Sequence, residues 1–422
     1  MRVRRWSVTV TGVALLVAAV APAAIAGIYV GGSFSITDDD AADGVQAPVV
    51  AQNTSNGDYL VVWIDGRASG WGDVYGQRVK ADGTPAGANF RISGDDATGA
   101  EYPVAVAYNS VADQYLVVWQ DERDYTNRGY DIYGRRLKAS GALAGDEFRI
   151  SSEAATGLEG APAVAHNPVT NQYLVVWTDY RNNLDRGPDV YGQRIKATGV
   201  MAGDEFRISD DAATGAEYRP QVVCNTATGQ FLVVWEDDRL APTWEIFGRR
   251  MKGGGKLAGD DFPISEPGTS DSQAAAVAYN SIRNQYLVVW EDNRNYLTTS
   301  HDIYGRRVKG AGRLAGDDFR IGGDPLNGEW EKKPQVAYDA TNDRYFVVWE
   351  DYRDYDTRGD EVYGRRLKGS GKLFGDDKRI NGGAALDDDN DPVVAYNPIT
   401  NEFLVVWVDV AALDIVAQRI KG

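Results

Sequence analysis

One cysteine, two histidines and three methionines are all that the 422 residues hold of these types. With Cys224 alone, no intrachain disulfide can form, so the fold must be held by its core. His166 and His301 leave little material for a histidine-rich metal site or for histidine-based catalysis. Basic charge is scarce as well: 44 Lys and Arg stand against 61 Asp and Glu, a net charge of −17. A chain this acidic repels phosphate backbones and anionic headgroups, which makes nucleic acid a poor partner class. Solubility is the plain reading of the charge.

Long apolar runs are missing except at the start. Met1-Arg2-Val3-Arg4-Arg5 leads into an apolar stretch from Val8 to Ala21, followed by Pro22-Ala23-Ala24-Ile25-Ala26-Gly27. A basic start, a short apolar middle and small residues before a cleavage point predict a secretory signal peptide over residues 1–26, cut after Ala26. The run is shorter than the roughly 20 residues of a membrane span, so no membrane insertion is expected. Cys224 lies far from the cut, which argues against a lipid anchor. The expected product is secreted, either released or loosely associated with the cell surface. Cleavage removes three arginines and no acid, moving the net charge from −17 to −20.

What the chain has in abundance is repetition. Tyr115-Leu116-Val117-Val118-Trp119-Gln120-Asp121-Glu122-Arg123 recurs, nearly unchanged, around Trp63, Trp119, Trp177, Trp235, Trp290, Trp349 and Trp407. The gaps are 56, 58, 58, 55, 59 and 58 residues. A period of this kind identifies a repeat architecture before any local reading does. In the clearest copy, Val104 to Asn109 is an apolar run ended by a turn residue. Tyr115 to Trp119 is apolar on both faces, the pattern of a strand buried on both sides. A variable loop then leads to Asp131-Ile132-Tyr133-Gly134-Arg135-Arg136-Leu137-Lys138. A short fourth strand follows at Phe148-Arg149-Ile150-Ser151. Four strands with short connections predict an antiparallel meander.

The last copy stops in its third strand, at Val416 to Gly422. Its missing fourth strand is found at the other end of the chain: Ser33-Phe34-Ser35-Ile36-Thr37 precedes the first copy and matches Phe148 to Ser151. A sheet completed from the opposite terminus closes a ring and leaves no open blade face. The expected fold is therefore all-β, a seven-bladed β-propeller over residues 27–422, closed by an N-terminal strand in the last blade. The repeat is longer than the about 40–45 residues of WD40 and the about 50 of kelch units, and it carries neither signature. The Ser-x-Asp-x-Gly-x-x-Trp box of sialidases is also absent. The unit resembles the Tyr-Leu-Val-Val-Trp-x-Asp-x-Arg…Asp-Ile-Tyr-Gly-x-Arg repeat of secreted bacterial propeller-like proteins. The resemblance implies the fold and carries no activity with it.

A residue present in every blade must satisfy every blade, so packing is its expected role. The seven periodic tryptophans are expected to be core wedges. Asp65/Arg67, Asp121/Arg123, Asp179/Arg181, Asp237/Arg239, Asp292/Arg294 and Asp351/Arg353 read as strand-end ion pairs; the seventh blade has Asp409-Val410-Ala411 instead. Arg135-Arg136 and its equivalents Arg249-Arg250, Arg306-Arg307 and Arg365-Arg366 read as solvated or ion-paired positions on outer strands. Gly134 is expected to let a neighbouring aromatic lie on the backbone. Cys224 and His166 replace Tyr108 at a structural position, and Cys224 is expected to be buried and inert. The acidic stretches Asp38-Asp39-Asp40, Asp95-Asp96, Asp210-Asp211 and Asp387-Asp388-Asp389-Asn390-Asp391 admit calcium as a cofactor, with a solvated acidic loop as the alternative. No EF-hand spacing is present, because Pro398 falls where the twelfth ligand belongs. No metal-ligating or catalytic residue stands out.

The unrepeated residues point to one end of the ring. Loops between the second and third strands share that end with the blade connections. The loops carry Trp71, Tyr125, Tyr130, Tyr180, Trp244, Tyr296, His301, Tyr352 and Tyr355, and the connections add Tyr102, Tyr218 and Trp330. All three non-periodic tryptophans of the mature chain fall there. Variable loops on a rigid scaffold are where binding resides. The candidate ligand-binding residues are therefore Trp71, Tyr125, Tyr130, Tyr180, Trp244, Tyr296, Trp330, Tyr352 and Tyr355. Rings flanked by Asp, Asn and Arg suit a glycan, and an extracellular protein partner fits nearly as well. The leading expectation is a non-catalytic binding or adhesion module. The alternatives are a carbohydrate-active hydrolase or lyase with an axial acidic site, and a structural surface protein.

Overall fold

The computed structural model describes residues 28–422 apart from 39–43, 68–71, 95–98, 153–156, 211–214, 241, 269, 297–299, 323–329 and 383–387. The expected signal peptide and Trp71 lie outside the described residues. Seven four-stranded antiparallel sheets form the blades of a closed ring. In the second blade the strands are Glu101–Asn109, Gln114–Asp121, Asp131–Lys138 and Phe148–Arg149. The last blade takes Asp389–Asn397, Glu402–Asp409 and Asp414–Lys421 from the C-terminus and Tyr29–Ser35 from the N-terminus. Tyr29 pairs with Ile420 and Ser35 with Val416. The closing strand thus starts four residues before the match at Ser33.

The core lies between blades, which explains why the second strand is apolar throughout. Its alternate side chains face opposite neighbours. Tyr115, Val117 and Trp119 pack on Leu60, Val62, Ile64 and Val74 of the preceding blade. Leu116 and Val118 pack on Tyr173, Val175 and Trp177 of the following one. The seam is built the same way: Tyr59, Val61 and Trp63 meet Leu404, Val406 and Val408 of the last blade. All seven periodic tryptophans are buried.

Each indole is tied to the strand-end ion pair. Trp119 Nε1 donates to Asp121 Oδ2 at 2.9 Å, and Arg123 forks onto both oxygens of the same carboxylate. The Arg123 guanidinium lies 4.0 Å from the centre of the Tyr133 ring and also grips Glu147, just before the fourth strand. The bracket thus joins all the strands that follow the first. Its arginine pairs with aspartate in six blades. In the seventh, Trp407 donates instead to Asp389 at 2.8 Å.

Two expectations about repeated residues are corrected. A Cβ on Gly134 would lie 2.9 Å from Ile150 Cδ1, and isoleucines occupy the same place over Gly76, Gly192, Gly248 and Gly305. The close neighbour is aliphatic in these five blades, because the fourth strand's inward residue covers that spot. Only Gly364 has an aromatic there, Phe346. Arg135, Arg249, Arg306 and Arg365 are neither freely solvated nor ion-paired. They donate to the carbonyls of Ile92, Ile208, Ile264 and Ile321 in the preceding blade, tying outer strands together. Cys224 is buried and unbridged, and burial pushes its thiol up to about 12. Among the described residues no helix is long and apolar enough to cross a membrane.

Candidate functional site

The first strand of each blade breaks register near the loop end. In six blades the break leaves one residue with positive φ: Ala47, Ala161, Arg219, Ala274, Lys333 and Asp391, at 49–53°. In the second blade the register shifts at the same place, between Glu101 and Val104. A bulge bends the strand and re-aims side chains. Here it recurs, so the bend is scaffold. The side chains carried on it do not recur.

In four blades the residue after the periodic tryptophan (Thr178, Glu236, Glu291 or Glu350) secures the bulge of the next blade. Arg219 N donates to Thr178 Oγ1 at 3.1 Å, Ala274 N to Glu236 Oε1 at 2.7 Å, Lys333 N to Glu291 Oε2 at 3.3 Å and Asp391 N to Glu350 Oε1 at 2.7 Å. Three neighbouring blades thereby bring Glu236, Glu291 and Glu350 to the loop end of the ring. Burial raises the Glu236 carboxyl, with Arg219 opposing; burial likewise raises Glu350, with Lys333 opposing. Lys333 Nζ lies 3.0 Å from Glu350 and 2.6 Å from Asp391. Arg219 Nη1 reaches Glu236 at 3.4 Å.

A cavity of about 820 Å³ opens beside Arg219 and Glu236. Its walls come from four successive blades, so it sits at the axial mouth. Tyr102, Tyr130, Tyr180, Tyr218 and Trp244 form its aromatic wall, with Gln120, Thr178, Gln221 and Gln273 as neutral polar groups and Arg219 and Glu236 as charged ones. The Tyr218 ring stands between Tyr180, at 6.0 Å, and Trp244, at 5.5 Å. The bulges and strand ends set these rings on rigid elements rather than on loop tips.

The structure divides the candidate residues. Tyr130, Tyr180 and Trp244 line the cavity, and the Tyr125 ring lies tilted against Tyr130 at 5.1 Å. Tyr125 begins a one-turn helix, Tyr125–Arg128, inside what reads in sequence as a loop; Asn183–Arg186 and Tyr355–Arg358 are similar turns. Trp330, Tyr296, Tyr352 and Tyr355 gather elsewhere. His301 lies 6.4 Å from Tyr296 and 5.5 Å from Trp330, Trp330 lies 6.3 Å from Tyr352, and Tyr352 stacks on Tyr355 at 5.8 Å. Lys332 Nζ lies 3.7 Å from the Trp330 ring centre and 5.1 Å from that of Tyr352. The described candidates thus form two aromatic groups on different blades. Trp244 is half-buried and Trp330 exposed.

Sequence reasoning missed Arg219, Glu236 and Lys332. Arg219 and Glu236 occupy strand positions whose residue changes from blade to blade, and the signal in the sequence is that variation within strands rather than within loops. Among the acidic stretches, Asp38 pairs with Arg67 at 2.5 Å, Asp388 Oδ1 accepts Asp360 N at 3.1 Å, and Asp391 holds Lys333. Asp39, Asp40, Asp95, Asp96, Asp211 and Asp387 lie outside the described residues. Among those described, no group of three or more His, Cys, Asp or Glu side chains is placed to hold a metal ion.

No family model matches the chain, and no curated protein matches it. Solved structures do share the fold. A polysaccharide lyase matches with a TM-score of 0.56 at 9% identity, covering 89% of this chain and 89% of its own. An α-L-arabinofuranosidase of Fusarium graminearum, in complex with arabinobiose, matches with a TM-score of 0.51 at 11% identity, covering 76% and 92%. A protein of unknown function from Dyadobacter fermentans matches equally well, at 0.51 and 11%, covering 76% and 94%. At these identities the likeness is one of propeller fold.

Proposed function

We propose that the protein binds a glycan outside the cell, at the loop-end mouth of the ring. The observation that carries this is the axial cavity of about 820 Å³, lined by Tyr180, Tyr218 and Trp244 together with neutral amides and a hydroxyl. Sugar rings stack their C–H faces on aromatics while hydroxyls take the polar groups. The second aromatic group, around Trp330, lies on neighbouring blades and suits further sugar units of a chain. The basic and apolar start of the sequence supports an extracellular setting. Two of the fold's neighbours, the polysaccharide lyase and the arabinofuranosidase, are carbohydrate-active in name, which agrees with the reading.

The test is a glycan array on residues 27–422, with and without calcium, followed by calorimetry on the best binder. Trp244→Ala and Tyr218→Ala should each weaken binding by about tenfold, in line with roughly 1.4 kcal/mol per lost stacking contact. Binding that is unchanged in both variants, or absent from the whole array, sinks the proposal.

A hydrolase or lyase is the second reading, favoured by the buried and raised carboxyls of Glu236 and Glu350 at the same mouth. Each already accepts a main-chain N–H from the next blade and a side-chain cation, which gives each a supporting role in the scaffold. New reducing ends or unsaturated uronates, released from a bound oligosaccharide and lost in Glu236→Gln, would decide for this reading.

A further inference from the structure

We propose that the sugar taken at this mouth is anionic, and that Arg219 receives its carboxylate or sulfate; the inference rests on the glycan-binding reading above. Among the described residues, Arg219 is the one cation lining the cavity. It differs from the repeated arginines. Those of the strand-end brackets have side chains 14–22% exposed and are forked onto a buried aspartate. The Arg219 side chain is 64% exposed and meets Glu236 only through Nη1, at 3.4 Å.

The bulge does not require an arginine at this position. Ala47, Ala161 and Ala274 make the same turn of the backbone at φ of 51°. In the next blade Glu291 holds the position of Glu236, half-buried with the His301 ring at 3.9 Å, and the bulge carries Ala274. Lys333, the other basic residue on a bulge, is spent on two carboxylates. At Arg219 a single long contact holds one amino group, and the side chain is otherwise exposed where it lines the cavity. A guanidinium offers paired donors in the geometry of a carboxylate or a sulfate. Tyr218, the preceding residue, stands between Tyr180 and Trp244, so a sugar stacked there would bring its acidic substituent within reach. In a protein with a net charge of −17, one exposed cation, offset only by Glu236 among the rings and neutral amides of the wall, selects for a locally placed anion rather than for polyanions at large.

The experiment measures calorimetric affinities of residues 27–422 for three oligosaccharides of equal length: neutral, uronate-bearing and sulfated. At low salt, one or both anionic sugars should bind at least about tenfold more tightly than the neutral one, and the preference should shrink as salt is added. The arm that gains identifies carboxylate or sulfate as the recognised group. In Arg219→Ala the preference should fall to about one, and Arg219→Lys should restore part of it. Melting curves of both variants check that the ring is intact. Equal affinity for all three sugars, or a preference that survives Arg219→Ala, overturns the inference and leaves the glycan reading standing. Failure to bind any sugar overturns both.

Discussion

The two ends of the ring are made by the same strands and obey different rules. At the turn end, between the first and second strands, each blade finishes on a buried Asn53, Asn109, Asn167, Asn225, Asn280, Asp339 or Asn397. Asn109 Oδ1 accepts the N–H groups of Val111 and Ala112, and its Nδ2 reaches Asn171 of the next blade at 2.9 Å. Asn397 does the same across the seam, donating to Gly57 O at 2.7 Å. At the loop end the bulge is also repeated, yet its residue is Ala, Arg, Lys or Asp according to the blade. The turn end spends its side chains on joining blades. The loop end assigns that work to the backbone bulge and, in four blades, to the residue after the tryptophan, and so leaves other side chains free to differ. Repetition of the residue marks support; repetition of the backbone under changing residues marks a site.

The largest effect should come from testing that rule on two tryptophans. Trp119→Ala removes a fully buried wedge and its bond to Asp121, and should cost roughly 3–5 kcal/mol in urea unfolding. Trp330→Ala, at the loop end, should cost under about 1 kcal/mol, near the range of surface changes. Equal costs would erase the distinction between the periodic and the unrepeated rings.

A smaller effect is expected at the seam. Asn397→Ala leaves two turn N–H groups and a carbonyl of the first blade without their partner, a loss of about 1–3 kcal/mol. Lys332→Ala removes contacts with two ring faces at the loop end, worth about 0.5–1 kcal/mol, and a charge that acts on Asp360. If the lysine change proves the costlier, the loop end is as structural as the turn end.

The third prediction is a gradual dependence on pH. Glu101, Glu159 and Glu217 open the first strands of three blades, and burial pushes each up to about 8; Glu331 is raised in the same way. Their folded values lie above the unfolded value near 4.3. The stability they contribute is therefore fully present below about pH 4.3 and is lost as pH rises through about 8. Asp292 works in the other direction. Burial would raise it, but hydrogen bonds from Arg294 and Trp290 outweigh that and hold it below its usual range, so its contribution is lost as pH falls through the acid region. The melting temperature should peak at mildly acidic pH and decline toward pH 9. Glu101→Gln combined with Glu217→Gln should flatten the alkaline decline. An alkaline limb that is unaltered in the double variant would show that these glutamates do not cause it.

Much of this architecture was legible in the residues. The period of the tryptophans, the strand apolar on both faces and the missing fourth strand led to seven blades and to the seam. The Asp-x-Arg pairing was legible too, because bidentate geometry follows from residue types two apart. Its extension to Tyr133 and Glu147 was not, since those partners lie on or beside other strands of the sheet. The loop aromatics were assigned to one end, but not sorted into the Tyr218 and Trp330 groups. That sorting depends on which blades stand side by side and how far each loop reaches.

The sequence by itself determined the fold, the ring closure and the end at which the chain varies, because packing between identical blades imposes the same residues at a constant period. The tertiary structure alone decided that Arg219 stands exposed in an axial cavity while Lys333 is tied down, and that Glu236, Glu291 and Glu350 secure neighbouring blades. Left-handed bulges and contacts between strands of different blades set those positions. Neither leaves a period in the sequence once the residue on the bulge is free to change.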